Sequence, residues 1–427
     1  MPAIRPVDPL DPTASLRNAE RWLRSVYKRT SDGAMGWGHH ESEDPTEWGG
    51  TLDGIRGMTA MGEPANSSDL ADAAQWLKSR QRPDGGFPAR ELEYSASEAT
   101  AWVVIAFHGM GWNAGNDTCV RRAVDYLYRC VDSEGAAATT PADVGKPRTF
   151  PTALALWAFA LQPDTERMCA KMISRLHKMQ DPETRGWGVS FGATPNAATT
   201  AQVLYALCVA QGRSDADWVR GGAAYLLERQ KAEGGWGNSH DEWFPTERPR
   251  IPSRCIHYGT AWALLALTQF PDDRECQLAA ESAVRYLLGR QRKSGAWLFE
   301  EYDPVEFVWC TTQVMVALVE WNKVRRPSSA TMEETGVRGA ARRIARDLTS
   351  RGRDSFLYLA VGALAVAQFW GSIQPPLSEL ARFLRLDGAG IWTNLVSTVI
   401  WSCLALIIGW LVKRISRSTG DSKDKKV

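Results

Sequence analysis

The chain has 427 residues, 44% of them hydrophobic and 23% charged, with a formal net charge of +1. That length and apolar content suit one large domain or two ordinary ones, and the near-neutral balance gives no footprint for nucleic acid. The eight cysteines are scattered without a C-x-x-C pair, which argues against a disulfide framework or a zinc cage and for a reducing compartment.

In chain order, residues 1–13 come first, opening with "MPAIRPVDPLDP". The stretch is Pro-rich and has no apolar h-region, so it reads as a disordered arm and not as a secretory signal. From residue 14 to 322 the chain repeats. Helical runs with a large apolar residue near their end recur as "AERWLRSVY", "AAQWLKSRQ", "AVDYLYRCV", "ISRLHKMQ", "AAYLLERQ" and "AVRYLLGRQ". Each precedes a turn glycine, at Gly36, Gly86, Gly135, Gly186, Gly235 and Gly295. A second apolar run follows each turn and aligns on a threonine: Thr51, Thr100, Thr152, Thr200, Thr260 and Thr312.

One unit is physically legible. The first run is amphipathic and keeps a wet face, whereas the second is small and apolar on most sides and calls for burial. The glycine suits backbone with φ > 0 at the helix end, and the aligned threonine is placed to cap the second helix. The ring after the glycine can fold back over the helix ends, and the Gln can bond freed backbone groups. No unit buries its second helix alone. Six units closed into a ring make an inner and an outer wall, so the expected fold is an all-α (α/α)6 toroid.

The words "RQRPDGGF", "MQDPETRGWG", "RQKAEGGWG" and "RQRKSGAW" at helix ends resemble the QW repeats of squalene–hopene and oxidosqualene cyclases. "YGTAWALLAL" (Tyr258 to Leu267) is similar to inner-helix sequences of the superfamily that also includes protein prenyltransferase β subunits. The resemblance covers residues 14–322 and implies the same toroid. Two departures stand out. Triterpene cyclases have two α domains where this chain has room for one, and the third turn, "CVDSEGAAA", lacks both Gln and ring.

The resemblance also implies where chemistry would sit. In squalene–hopene cyclases the protonating acid is the middle Asp of a D-x-D-D-T word before an inner helix. In that register this chain carries Gly49, Glu98, Phe150, Ala198, Tyr258 and Cys310. Only Glu98 is acidic, with Ala96 and Ala99 in place of the flanking carboxylates. Glu98 is therefore either the acid of a divergent cyclase or an ion-paired residue at a helix start. His39, His40, Glu41, Asp53 and Arg56 of the first repeat form either a polar entrance, with His39 and Asp53 as an acid/base pair, or a salt bridge closing the ring. Rings on or near the inner runs (Trp102, Phe107, Trp157, Phe159, Tyr205, Trp262 and Trp309) are either cation-stabilising walls or core. Trp102, Trp157, Tyr205, His257, Tyr258, Trp262 and Trp309 are the residues expected to line a cavity.

Prenyltransferase β subunits bind zinc through Asp, Cys and His. Here Asp117 with Cys119, and Cys255 with His257, are two-ligand words only, so no metal and no cofactor is expected. Arg148, Arg248, Arg250 and Arg254 are either a diphosphate cluster or surface charge.

Residues 323–354 form a basic connector suited to an anionic membrane surface. Residues 355–373 and 391–412 carry no charge and are long enough to cross a bilayer, with Trp370, Trp392 and Trp410 near their ends. The alternative is a pair of buried core helices. Arginines and lysines cluster before the first run and after the second, in the tail 413–427, while Arg382 and Arg385 are the basic residues of the loop between. The positive-inside rule thus puts toroid and tail in the cytoplasm, on a two-span anchor in the inner or plasma membrane. Two functions fit this layout. One is a non-catalytic module coupled to the spans, a scaffold, sensor or membrane effector whose partners are membrane lipid, an apolar isoprenoid-like ligand or a protein. The other is a cyclase- or prenyltransferase-like enzyme with Glu98 as acid.

Overall fold

The computed structural model describes residues 8–89, 93–212, 216–237, 256–299 and 304–325. The two apolar runs and the basic tail lie outside the described residues, as does the connector beyond residue 325. Among the described residues no helix is long and apolar enough to cross a membrane.

Among the described residues, twelve α-helices alternate between two walls. The outer ones are α1 (Thr13–Ser25), α3 (Ser68–Ser79), α5 (Thr118–Cys130), α7 (Glu166–Lys178), α9 (Asp217–Arg229) and α11 (Arg274–Gly289). The inner ones are α2 (Leu52–Ala60), α4 (Ser97–Gly109), α6 (Thr149–Ala160), α8 (Ala197–Gln211), α10 (His257–Leu267) and α12 (Val308–Arg325). The inner helices pack in chain order, and α12 packs back on α2, which closes the ring of an (α/α)6 toroid. Each outer helix from α3 onward lies on the inner helix before it, and α1 lies on α12 and α2. Burial follows the pattern in the sequence. In α5 only one face is buried (Val120, Ala123, Val124, Leu127), whereas α6 is buried all round from Thr149 to Phe159. Two short hairpins, β1 (Tyr27–Arg29) with β2 (Met35–Trp37) and β3 (Phe87–Pro88) with β4 (Ser95–Ala96), decorate the first two joints.

The joints do more than turn the chain. The Gln side chain donates to a carbonyl of its own turn and to one in the next outer helix: Gln81 to Cys119, Gln180 to Trp218, Gln230 to Ala279 and Gln291 to Ser15, at 2.7–2.8 Å. The indole of the ring residue donates back to its own outer helix, as Trp187 does to Leu176 and Trp297 to Leu287.

Three expectations at the joints are corrected. The aligned threonine is not an N-cap. In α4, α6, α8, α10 and α12 it is the fourth helical residue, and its hydroxyl accepts the backbone N–H of the ring position, 2.9 Å from Phe87 to Thr100 and 3.1 Å from Trp297 to Thr311. It latches turn to inner helix; capping falls to residues such as Asn196, which accepts from the Thr199 N–H. In the sixth repeat the latch is Thr311, not Thr312, because two threonines adjoin and repeat spacing alone does not separate them. The left-handed residue in three joints is one position earlier than expected, at Gly85, Arg185 and Gly234. Gly86 and Gly186 are needed for space instead, since a Cβ there would meet Ser95 or the Tyr225 ring. Residues 8–12, expected in a disordered arm, are ordered: Asp8 and Asp11 accept local backbone N–H bonds, and Asp8 pairs with Arg325.

Candidate functional site

Counting from the latch threonine places the lumen in layers, because positions i, i+4 and i+7 share a helix face. Two residues before it, nearest the helix starts, lie Gly49, Glu98, Phe150, Ala198, Tyr258 and Trp309. With Thr311 as the sixth latch, Trp309 replaces Cys310 in that position. Two residues after it lie Asp53, Trp102, Leu154, Gln202, Trp262 and Gln313. One turn deeper come Arg56, Trp157 and Tyr205.

The rings meet across the axis. Helices α4 and α10 are diametrically opposed in the ring, yet Trp102 and Trp262 approach to 5.9 Å between centroids. Trp157 touches both, at 5.5 and 6.2 Å, and Tyr205 stands against Trp157 at 4.8 Å. Tyr258 extends the stack to Trp309 at 4.9 Å, and Phe299, Phe307 and His39 surround Trp309 at 5.3–6.0 Å. Six of the seven expected lining residues thus form one aromatic column. His257 does not join it; it is buried against Tyr286 of outer helix α11. Burial pushes the Tyr258 hydroxyl up to about 12.

Asp53 and Arg56 are buried and paired at 2.7 Å, and Arg56 also donates to Gln313 Oε1 at 3.1 Å. The ion pair lies within α2, and it is the Arg56–Gln313 hydrogen bond that crosses the seam between the first and last inner helices. The guanidinium lies 4.1 Å over the Trp102 ring, a favourable cation–π placement. Burial raises the Asp53 carboxyl above the ordinary carboxylate value, opposed by Arg56 and the Gly49 N–H. His39 stands against Trp309. Its Nε2 accepts the Trp309 indole N–H at 3.2 Å, and its ring fills the space a side chain at position 49 would need. His40 and Glu41 lace the first joint to the sixth: His40 bridges Phe307, and Glu41 accepts the Glu306 N–H at 2.9 Å.

Glu98 is nearly buried and both of its oxygens are engaged. Oε2 faces the Ser97 hydroxyl at 3.1 Å, while Oε1 accepts from Thr139 at 3.1 Å and from Arg148 at 2.8 Å. Arg148 lies fifty residues away and enters from the joint before α6, so nothing local in the sequence tied it to Glu98. Arg248, Arg250, Arg254 and Cys255 lie outside the described residues. Asp117 caps α5 and pairs with Lys78. Among the described residues no cluster of three or more His, Cys, Asp or Glu could hold a metal ion.

Against known proteins, the family model for the squalene-hopene cyclase C-terminal domain matches residues 45–158 and 152–309, more than half of the chain. The squalene–hopene cyclase of Bradyrhizobium diazoefficiens is 30% identical over 239 residues, 55% of this chain and 30% of that protein. A lanosterol synthase of Aspergillus fumigatus is 27% identical over 282 residues (60% and 31%), and an ent-copalyl diphosphate synthase of a Streptomyces species 24% over 261 (59% and 45%). The chain thus spans between about a third and a half of the length of these relatives. Among solved structures, a type II terpene cyclase from Scytonema in complex with merosterolic acid A superposes with a TM-score of 0.55 at 17% identity, over 74% of this chain and 99% of that one. A cellobiose 2-epimerase from Bacillus thermoamylovorans also reaches 0.55, at 12% identity over 72% and 98%. At such identities the likeness is one of fold, a fold that hosts unrelated chemistries.

Proposed function

The chain belongs to the squalene-hopene cyclase C-terminal domain family, within the terpenoid cyclase toroid superfamily, and from that premise we propose that it uses the toroid as a binding module and not as a cyclase. The observation that carries this reading is the environment of Glu98. Alkene protonation requires a carboxylic acid that keeps its proton and presents it to the ligand. Glu98 gives Oε1 to Thr139 and to the Arg148 guanidinium, Oε2 lies beside a Ser97 hydroxyl that also donates to the Ala138 carbonyl, and alanines stand where the flanking carboxylates of the cyclase word would help it. The aromatic column supports the same reading, because Trp102 and Trp262 meet where a folded polyprenyl chain would need an open lumen at that depth. In this reading the segments 355–373 and 391–412 tether the toroid, with its tail on the same cytoplasmic side, to the inner or plasma membrane. Its ligand is then an apolar, isoprenoid-like molecule or membrane lipid, or its partner a second protein.

The test is to incubate purified full-length protein with polyprenyl substrates and a native lipid extract, and to follow bound and converted species by mass spectrometry. Bound but unconverted lipid is the expected outcome. Product formation that Glu98→Gln abolishes would establish the cyclase instead.

A further inference from the structure

In the second, third and fifth joints the turn answers an outer-helix end in charge. The residue before the left-handed glycine of each turn is acidic: Asp84, Glu134 and Glu233. A cation at the end of an outer helix meets it. Lys178 pairs with Glu134 at 3.6 Å, Arg290 pairs with Glu233 at 3.9 Å, and Arg129 donates to the Asp84 carbonyl. The sixth joint is built to the same register, because Gly295 lies against Asn18 of α1 as Gly85 lies against Arg122, Gly135 against Lys171 and Gly234 against Ser282. Its chemistry is different. Ser294 stands at the acid position and Ser25 near the end of α1, while Lys293 replaces the uncharged Pro83, Ser133 and Ala232 of the other turns. Between turn and helix lies a surface cavity of about 310 Å3, lined by Asn18, Arg21, Trp22, Ser25, Lys293 and Ser294.

The cavity is left positive. Neither Arg21 nor Lys293 has a carboxylate partner among the described residues. The acids nearby are already taken. Arg24 holds Glu20 at 2.9 Å and Glu63 at 2.5 Å, and Glu306 accepts the Ser294 hydroxyl at 2.6 Å with Arg292 at 3.9 Å. Arg21 donates to Asn18 Oδ1 at 2.5 Å, which fixes the guanidinium over the cavity and leaves Asn18 Nδ2 as a further donor. A guanidinium, an ammonium and an amide N–H call for one ligand with several acceptor oxygens and more than one charge. A phosphate group carries about two negative charges and three acceptor oxygens, so it can engage all three donors at once. We infer that the seam between the sixth joint and α1 is a binding site for a phosphate group, free or on a lipid headgroup, held by Arg21, Lys293 and Asn18. Bound there, it ties α1 to the last joint one turn from the Gln291–Ser15 bond and so fastens the closure of the ring. The site is formed by an outer helix and a turn, and it is independent of what the lumen binds.

The site is tested on full-length protein in detergent, by thermal midpoints and by hydrogen exchange of α1. The probes are inorganic phosphate, micelles carrying phosphatidic acid, and sodium chloride at matched ionic strength. Saturable stabilisation is expected, with slower exchange in α1 and unchanged exchange in α7. Arg21→Gln and Lys293→Gln should each weaken the apparent affinity about tenfold, the factor one charge-assisted hydrogen bond supplies on a wet surface, and leave the phosphate-free midpoint unchanged. Arg17→Gln, which alters an exposed cation of the same helix outside the cavity, should leave the affinity as it was. Saturation by free phosphate supports the site with a soluble ligand, and saturation by phosphatidic acid alone supports it with a headgroup. No response to either probe overturns the site, as does an equal response to sodium chloride, an affinity that survives both substitutions together, or an equal loss in Arg17→Gln.

Discussion

Gln291 and Ser15 are 276 positions apart in the chain, and the Gln291 amide donates to the Ser15 carbonyl at 2.8 Å while also holding Gly295 of its own turn. This contact joins the last outer helix to the first. Gln291→Ala removes two backbone partners of one side chain. A loss of about 1–3 kcal/mol is expected in denaturant unfolding, together with faster hydrogen exchange in α1 and unchanged exchange in α7. Uniform acceleration over all helices would show that the bond does not localise the seam.

Gly234 has φ +96°, and a Cβ there would sit 2.5 Å from the Ser282 carbonyl oxygen. Gly234→Ala is therefore expected to cost roughly 1–3 kcal/mol, from strain and from displacement of α11. The fourth joint gives the converse case. Arg185 occupies the left-handed region at φ +64° and donates to the Asp217 carbonyl at 2.9 Å. Arg185→Gly relieves strain and loses that bond, so thermal melts should place it within about 1 kcal/mol of the parent.

The buried pair at the seam predicts a strong asymmetry between single and double substitution. Asp53→Ala leaves the Arg56 charge buried with Gln313 as its remaining side-chain acceptor among the described residues, which should cost on the order of 3–5 kcal/mol. Asp53→Leu with Arg56→Met removes both charges and fills similar volume, so it should be close to neutral or stabilising. A double mutant as unstable as the single one would mean that Arg56 matters chiefly as a ring-stacking group on Trp102.

Acid sensitivity should appear at the Lys78–Asp117 contact. Partial burial acts to raise the Asp117 carboxyl, but the Lys78 ammonium and the Val120 and Cys119 N–H groups outweigh it and hold the group below its ordinary value. The folded state thus binds its proton less readily than the unfolded one. The contribution is complete above the ordinary carboxylate value of about 4 and is lost as pH falls through the lower folded value. Melting midpoints against pH should fall more gently on the acid side in Asp117→Asn than in the parent. A parallel acid limb in the two proteins would remove this pair from the account.

Much of the toroid was legible because the joints are short-range. A Gln, a turn and a ring lie within ten residues of one another, and the wet face of a helix such as α5 shows in its spacing. The inner helices were legible as buried but not as oriented, since a helix that is apolar on all sides carries no sign of which side meets the axis. That is why Trp102 and Trp262 were expected lining residues whose contact across the axis stayed hidden, and why His257 was assigned to the lumen while facing Tyr286. Glu98 was found through its register, but its partner Arg148 belongs to the next repeat, and contacts between repeats leave no local mark. Thr311 and Thr312 form a doublet that repeat spacing cannot resolve and a single hydrogen bond can.

Asp8 and Arg325, near the two ends of the described ring, form an ion pair, and α1 lies directly on α12. Topologically the toroid has no privileged starting point, because the contact that closes it resembles the contacts that build it. Circular permutants are thus admissible, with a short peptide joining the ends and the chain reopened elsewhere. The natural place to reopen it is the third joint, around Ser133 and Glu134, where the Gln stitch and the indole are both missing.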